Sequence, residues 1–193
     1  EVEVMADETC NPAFVAADLL SQAEHGTDSQ AVLVTTCEEV VDAVQAEVEK
    51  QLLLLPRAEM ARKSLDHSLL ILVKDKEEAI AMTNAYAPEH LILAVKDYNK
   101  IKSQIVHAGS VFLGNWSCES AGDYASGTNH TLPTKGYARA YSGLCLDSFM
   151  RKMTFQEITP EGIRQIGPAV EQMAAAECLD AHRNAMALRR NSL

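Results

Sequence analysis

Three short stretches of the 193-residue chain concentrate groups able to hold a metal ion or move a proton. In "SQAEHG", Gln22 and His25 stand three residues apart, so on a helix they share a face, where an amide oxygen and an imidazole nitrogen can reach one cation. The plainer reading of His25 is a helix-terminal imidazole interacting with the dipole. In "YAPEHL", Pro88 restrains the backbone ahead of Glu89 and His90. Histidine has the pKa of a general base near neutral pH, and glutamate can orient or deprotonate a water. Neighbours on a strand point to opposite sides, however, so the pair need not share one task, and a surface carboxylate beside a packed ring is the plainer reading. The third stretch, "GDYASGTNH" at residues 122–130, has no large aliphatic residue and buries little apolar surface, so core packing does not explain it. Asp123 there can ligate a metal or orient a histidine, and the glycines permit close backbone approach to a ligand. His182, between Asp180 and Arg183, is either a fourth ligand or a surface histidine. Cys118 has no spacing that supports a nucleophile, and His67 and His107 read as structural.

These groups sit in an alternation of strands and helices. Residues 2–6 read as a strand; Asn11 and Pro12 start a helix that Gly26 stops. "QAVLVTT" is a buried strand, after which Thr36 and Glu39 form a capping box for a helix to Pro56. A short helix near 57–66 leads to "SLLILV", and Asp75 with Glu78 opens a helix to about Tyr86 before the strand "HLILAV". A helix from Asp97 is expected to close at Gly109 ahead of "SVFLG", and residues 146–156 mix a short helix with a possible strand. From Thr159 and Pro160 onward, helices with one apolar face continue to the end. Such an order predicts a mostly parallel α/β sheet, whose ligands ordinarily bind beyond the carboxyl ends of the strands, here the polar run at residues 115–143.

Composition excludes some classes of function. The net charge of −10, with no Lys/Arg block, argues against nucleic acid or an anionic membrane as partner. The longest apolar run, "LLLL" at residues 52–55, is far too short to span a bilayer. Five scattered cysteines without a CxxC pair speak against a disulfide framework and favour a cytoplasmic setting.

Together, "DLLSQAEHG", "YAPEHL", "AGSVFLGNWSCESAGDYASGTNHTLPTKGYARAYSGL" and "LDAHRNAMALR" resemble the histidinol dehydrogenase family, in the same order and at comparable spacing. The resemblance implies a zinc-dependent oxidoreductase that converts L-histidinol to L-histidine in two hydride transfers to NAD, through a retained aldehyde. It implies zinc ligands at Gln22, His25 and Asp123, with His182 supplied by the other subunit of a homodimer with swapped C-terminal helices. Glu89 and His90 resemble the family's acid–base pair. The residues touching the substrate are then Gln22, His25, His90, Asp123, His130, Glu177 and His182. The implied fold is an incomplete Rossmann-like, mostly parallel sheet with flanking helices at residues 1–143, plus a C-terminal helical tail at 144–193. Family chains are longer, so this chain is expected to be the carboxyl-terminal part, with a serine that contacts substrate and most dinucleotide contacts upstream of Glu1. No G-x-G-x-x-G occurs, and no residue is assigned to the cofactor. Cys118 replaces the family's proline before "ES", and Lys135 stands where small or aromatic residues are common. The alternative is a zinc-binding dimerisation module without turnover.

Overall fold

The alternation at the amino end makes the centre of a sheet, not its edge. The computed structural model describes residues 1–193. In chain order, β1 (Val2–Ala6), α1 (Pro12–Ala23), β2 (Ala31–Thr35), α2 (Glu38–Leu52), α3 (Ala58–Leu65), β3 (Leu69–Leu72), α4 (Lys76–Tyr86), β4 (His90–Ala94), α5 (Tyr98–Ile101), β5 (Ser110–Leu113) and α6 (Glu119–Tyr124) are followed by α7 (Pro160–Ala176) and α8 (Asp180–Asn191). The five strands form one parallel sheet in the order β3-β2-β1-β4-β5. Two compact units divide the chain, Glu1–Phe149 and Met150–Leu193.

Both faces of the sheet are covered, as parallel strands require. Val2, Val4, Leu33 and Ile92 pack with Val15, Leu19 and Val44 of α1 and α2, while Met5, Val34, Leu91 and Leu93 pack with Ala79 and Ile101 on the opposite face. Asn11 caps α1 by accepting from the Ala13 N–H at 3.0 Å, with Pro12 at the first helical position. Asp75 caps α4 through the Glu78 N–H at 2.8 Å.

Three local expectations are corrected. The capping residue of α2 is Cys37, without a side-chain cap; its thiol donates to Glu39 Oε2 at 3.0 Å, so the carboxylate that a capping box needs is engaged elsewhere. The helix from Asp97 lasts only from Tyr98 to Ile101, continues as a 3-10 turn to Gln104, and is extended at Ile105. No strand forms within 146–156, where a 3-10 turn at Leu146–Phe149 is the only regular element.

In the second unit, α7 begins at the Thr159 cap, which accepts from the Gly162 N–H at 3.1 Å. It ends with Cys178 at φ 59°, Cys178 N–H on Ala175 O at 3.0 Å and Leu179 N–H on Ala174 O at 2.8 Å. That is the turn usually built on glycine, and it folds α8 back along α7. The Arg190 guanidinium grips Glu171 on α7 with two bonds of 2.8 and 3.1 Å.

Glu3 is an anomaly of the central strand. It is fully buried, Oε1 accepts from the Thr83 hydroxyl of α4, and Oε2 has no partner. Burial pushes its pKa up to about 7, against the lowering effect of Thr83. Between the unfolded value near 4.5 and this folded value the native chain holds a proton that the unfolded chain has lost, so stability falls as pH rises through that window. Glu3→Gln is neutral at every pH. Chemical denaturation at pH 4.5 and pH 8 is therefore expected to show a decline in stability that is steeper in the parent chain than in the variant, by on the order of 3 kcal/mol.

Candidate functional site

In a parallel sheet each crossover helix must carry the chain back from the carboxyl to the amino edge. The last turn of α1, with Gln22 and the following His25, is thereby delivered to the amino edge. There too are Glu89, just before β4, and His90, its first residue, which pairs with Val2 of β1 and Ser110 of β5. After β5 the polar run starts at the carboxyl edge, and α6 returns it so that Asp123 meets His90. The polar groups therefore gather at the amino ends of the strands, not beyond the carboxyl ends as the general behaviour of such sheets predicts.

His90 is nearly buried, at 5% exposure. Its Nε2 lies 3.5 Å from Asp123 Oδ1 and its Nδ1 3.9 Å from Glu89 Oε2. Neither ring nitrogen has a hydrogen-bond partner, and the ring is seated 6.0 Å from that of Phe112. Burial lowers its pKa, against the raising influence of the Glu89 and Asp123 carboxylates. Glu89 Oε2 accepts from the nitrogen of Glu1 at 2.8 Å. Because Glu89 precedes the first strand residue, it is not held to the strand's alternation. The two side chains therefore meet, where regular strand geometry would separate them.

Beside this pair, ligand atoms of His25, Glu119 and Asp123 lie within 4.8 Å of one another. Gln22 is buried; its Nε2 donates to Ser29 Oγ at 3.3 Å, which leaves Oε1 buried and unpartnered. Glu119 is 1% exposed with Oε2 equally unpartnered, and burial, followed by the Asp123 carboxylate, pushes its pKa up to about 8. Asp18, one turn before Gln22 on α1, is half-buried, and burial raises its pKa to about 7, against the lowering influence of the Glu119 backbone N–H. Glu119 and Asp18 were not singled out by the sequence. The only signals were Asp18's spacing of four from Gln22 and Glu119's of four from Asp123.

Gly122 shows what the glycines of this stretch do. A Cβ there would lie 2.5 Å from Phe112 Cε1, so the missing side chain lets α6 lie flat against the sheet. The close approach is to the protein's own core, where the sequence suggested a ligand. His130 is not among the converging His25, Glu119 and Asp123; it lines a cavity of about 710 Å³ with Ser110, Asn129 and Phe149. A second cavity, of about 640 Å³, is walled by Gln22, Glu89, Tyr86, Lys135 and Arg139. Glu177 and His182 belong to the second unit, at the C-cap of α7 and on α8; His182 is exposed and lines a groove of about 520 Å³ with Ile163 and Met186. Cys118 is the N-cap position of α6, and all five cysteines are free.

Both the sequence and the fold have close counterparts. The model of the histidinol dehydrogenase family matches residues 1–190. A histidinol dehydrogenase of Bacteroides thetaiotaomicron is 64% identical over 193 residues, all of this chain and 45% of the relative. A chloroplastic histidinol dehydrogenase of Arabidopsis thaliana is 56% identical over 190 residues, 98% of this chain and 41% of the relative. The crystal structure of histidinol dehydrogenase from Elizabethkingia anophelis superposes with a TM-score of 0.93 at 57% identity, covering 99% of this chain and 44% of that one. The chain thus spans less than half the length of the curated relatives it matches. No helix is long and apolar enough to cross a membrane. A shared parallel sheet, a shared helical pair and identity above half along nearly every residue lead to one conclusion: this chain belongs to the histidinol dehydrogenase family.

Proposed function

We propose that this chain supplies the zinc-holding and acid–base part of an enzyme that oxidises L-histidinol to L-histidine with NAD. The observation that carries the reading is the buried His90, both ring nitrogens unpartnered, between Glu89 and Asp123 and beside the converging ligand atoms of His25, Glu119 and Asp123. The donors suit zinc: an imidazole, an amide oxygen and carboxylate oxygen, with Gln22 Oε1 and Glu119 Oε2 buried and unpaired, an arrangement that is costly unless a cation or donor engages them. When bound, zinc orients the substrate's imidazole and amine, and NAD accepts a hydride in each of two oxidations.

The chain's own residues handle the protons. His90, its charged form disfavoured by burial, takes the hydroxyl proton of the alcohol as hydride leaves the adjacent carbon. Glu89 then removes a proton from the water that adds to the aldehyde, giving the hydrate whose second oxidation yields the carboxylate. Glu177 and His130 hold the substrate's polar groups. His182 is the fourth zinc ligand, donated by the partner of a homodimer.

Subunit exchange tests that last assignment. Asp123→Ala and His182→Ala homodimers should each hold little zinc. After random exchange, half the dimers are mixed and each has one intact site, so about a quarter of all sites should regain zinc. No recovery would mean that His182 serves its own subunit or none. Dilution to monomer should likewise release metal. The alternative, a zinc-holding dimerisation module without turnover, is separated by adding histidinol and NAD to the isolated chain: NADH production comparable with that of a full-length relative excludes it.

A further inference from the structure

Glu119 is a buried donor that the ligand set above leaves over. It is 1% exposed, Oε2 has no partner, and its carboxylate converges with the ligand atoms of His25 and Asp123, all within 4.8 Å of one another. Glu119 and Asp123 stand four apart on α6, so one face of that helix presents both carboxylates. α6 is held close to the sheet there, since a Cβ on Gly122 would lie 2.5 Å from Phe112 Cε1. Carboxylates brought together away from water repel each other and lack the donors their oxygens need, unless a cation stands among them. That place cannot be permanent, however. Gln22, His25, Asp123 and the partner's His182 are four donors in the zinc reading, and the imidazole and amine of histidinol bring two more. Six donors fill the sphere of a first-row divalent ion, so a bound substrate leaves Glu119 no position.

We propose that Glu119 is a displaceable ligand of the zinc site: its carboxylate engages the metal while no substrate is bound, and the nitrogens of histidinol take its place. The proposal rests on the zinc reading above. An interaction that substrate must break holds the metal in the free enzyme and opposes the substrate, so its removal weakens zinc binding and strengthens histidinol binding by the same factor. Structural damage at the site would instead weaken both, and the sign of the change in histidinol affinity therefore tells the two apart.

The test uses the full-length protein without NAD. Chelator competition gives zinc affinity with and without saturating histidinol, and calorimetry gives the histidinol affinity of the zinc-loaded protein. Glu119→Ala is expected to weaken zinc binding about tenfold or more without histidinol and by less than about threefold with it, and to bind histidinol about tenfold more tightly. Glu119→Gln, which keeps the shape and an oxygen but loses the charge, should change in the same directions by a smaller factor, and it decides the matter alone if the Ala variant does not fold. Zinc affinity within about twofold of the parent in the absence of histidinol overturns the proposal. So does an equal loss with and without histidinol, or weaker histidinol binding. In each of those cases a parent that holds zinc leaves the zinc reading standing, whereas a parent that holds none sinks that reading together with the role of Glu119.

Discussion

His90→Asn in the full-length protein lowers kcat for NADH formation from histidinol by about 10³-fold, within the range for loss of a general base. The size of the effect follows from three features of the ring. It is almost fully buried, which favours the neutral form. Its nitrogens spend no lone pair or proton on a protein partner, so one of them is free to accept the alcohol proton. Asp123 and Glu89 lie 3.5 and 3.9 Å away, close enough to stabilise the imidazolium once it forms. Asparagine keeps much of the volume beside Phe112 but cannot take a proton near neutral pH. Zinc content should remain at the parent level, which separates a proton-transfer defect from a collapsed site. A kcat within threefold of the parent, with metal bound, would remove His90 from the acid–base role.

Asp123→Ala abolishes zinc retention at equilibrium, weakening binding by more than about 10²-fold. Structural zinc sites hold their metal with apparent free energies of roughly 10–16 kcal/mol, so one of four ligands carries a few kcal/mol of the total. The expectation is sharper for this residue because its carboxylate approaches both His25 and His90, so its loss also takes the buried ring's charge partner away. His130→Ala is the matched control, since that histidine lines a different cavity and should leave zinc affinity within twofold. Elemental analysis of dialysed protein reads both. Full zinc in Asp123→Ala would take that carboxylate out of the ligand set.

Much of the architecture was legible because local chemistry and period agree. Asn11 and Pro12, Asp75, and Thr159 and Pro160 begin helices where their side chains or ring favour a start. The apolar runs at 31–35 and 90–94 are strands buried along their length. The misreadings occurred where a side chain had a competing partner or a segment lacked one. Glu39 was drawn to the Cys37 thiol, away from a cap, and the residues after Ile101 had too little apolar face to extend a helix. The side of the sheet was also misread. The general preference for carboxyl ends concerns loops that leave strands, whereas Gln22 and His25 end a helix and Glu89 and His90 begin a strand.

By itself the sequence determined the residue types, the order of elements and the family, because caps, apolar periods and long motifs are local and survive without coordinates. Only the tertiary structure decided that Glu89 and His90 share one space, that Gly122 makes room for Phe112, and that Glu119 meets His25 and Asp123. Those are contacts between chain segments that the parallel crossovers carry to a single edge. Burial then does what no spacing reveals, removing water from His90, Gln22 and Glu119 and leaving both His90 ring nitrogens, Gln22 Oε1 and Glu119 Oε2 without partners.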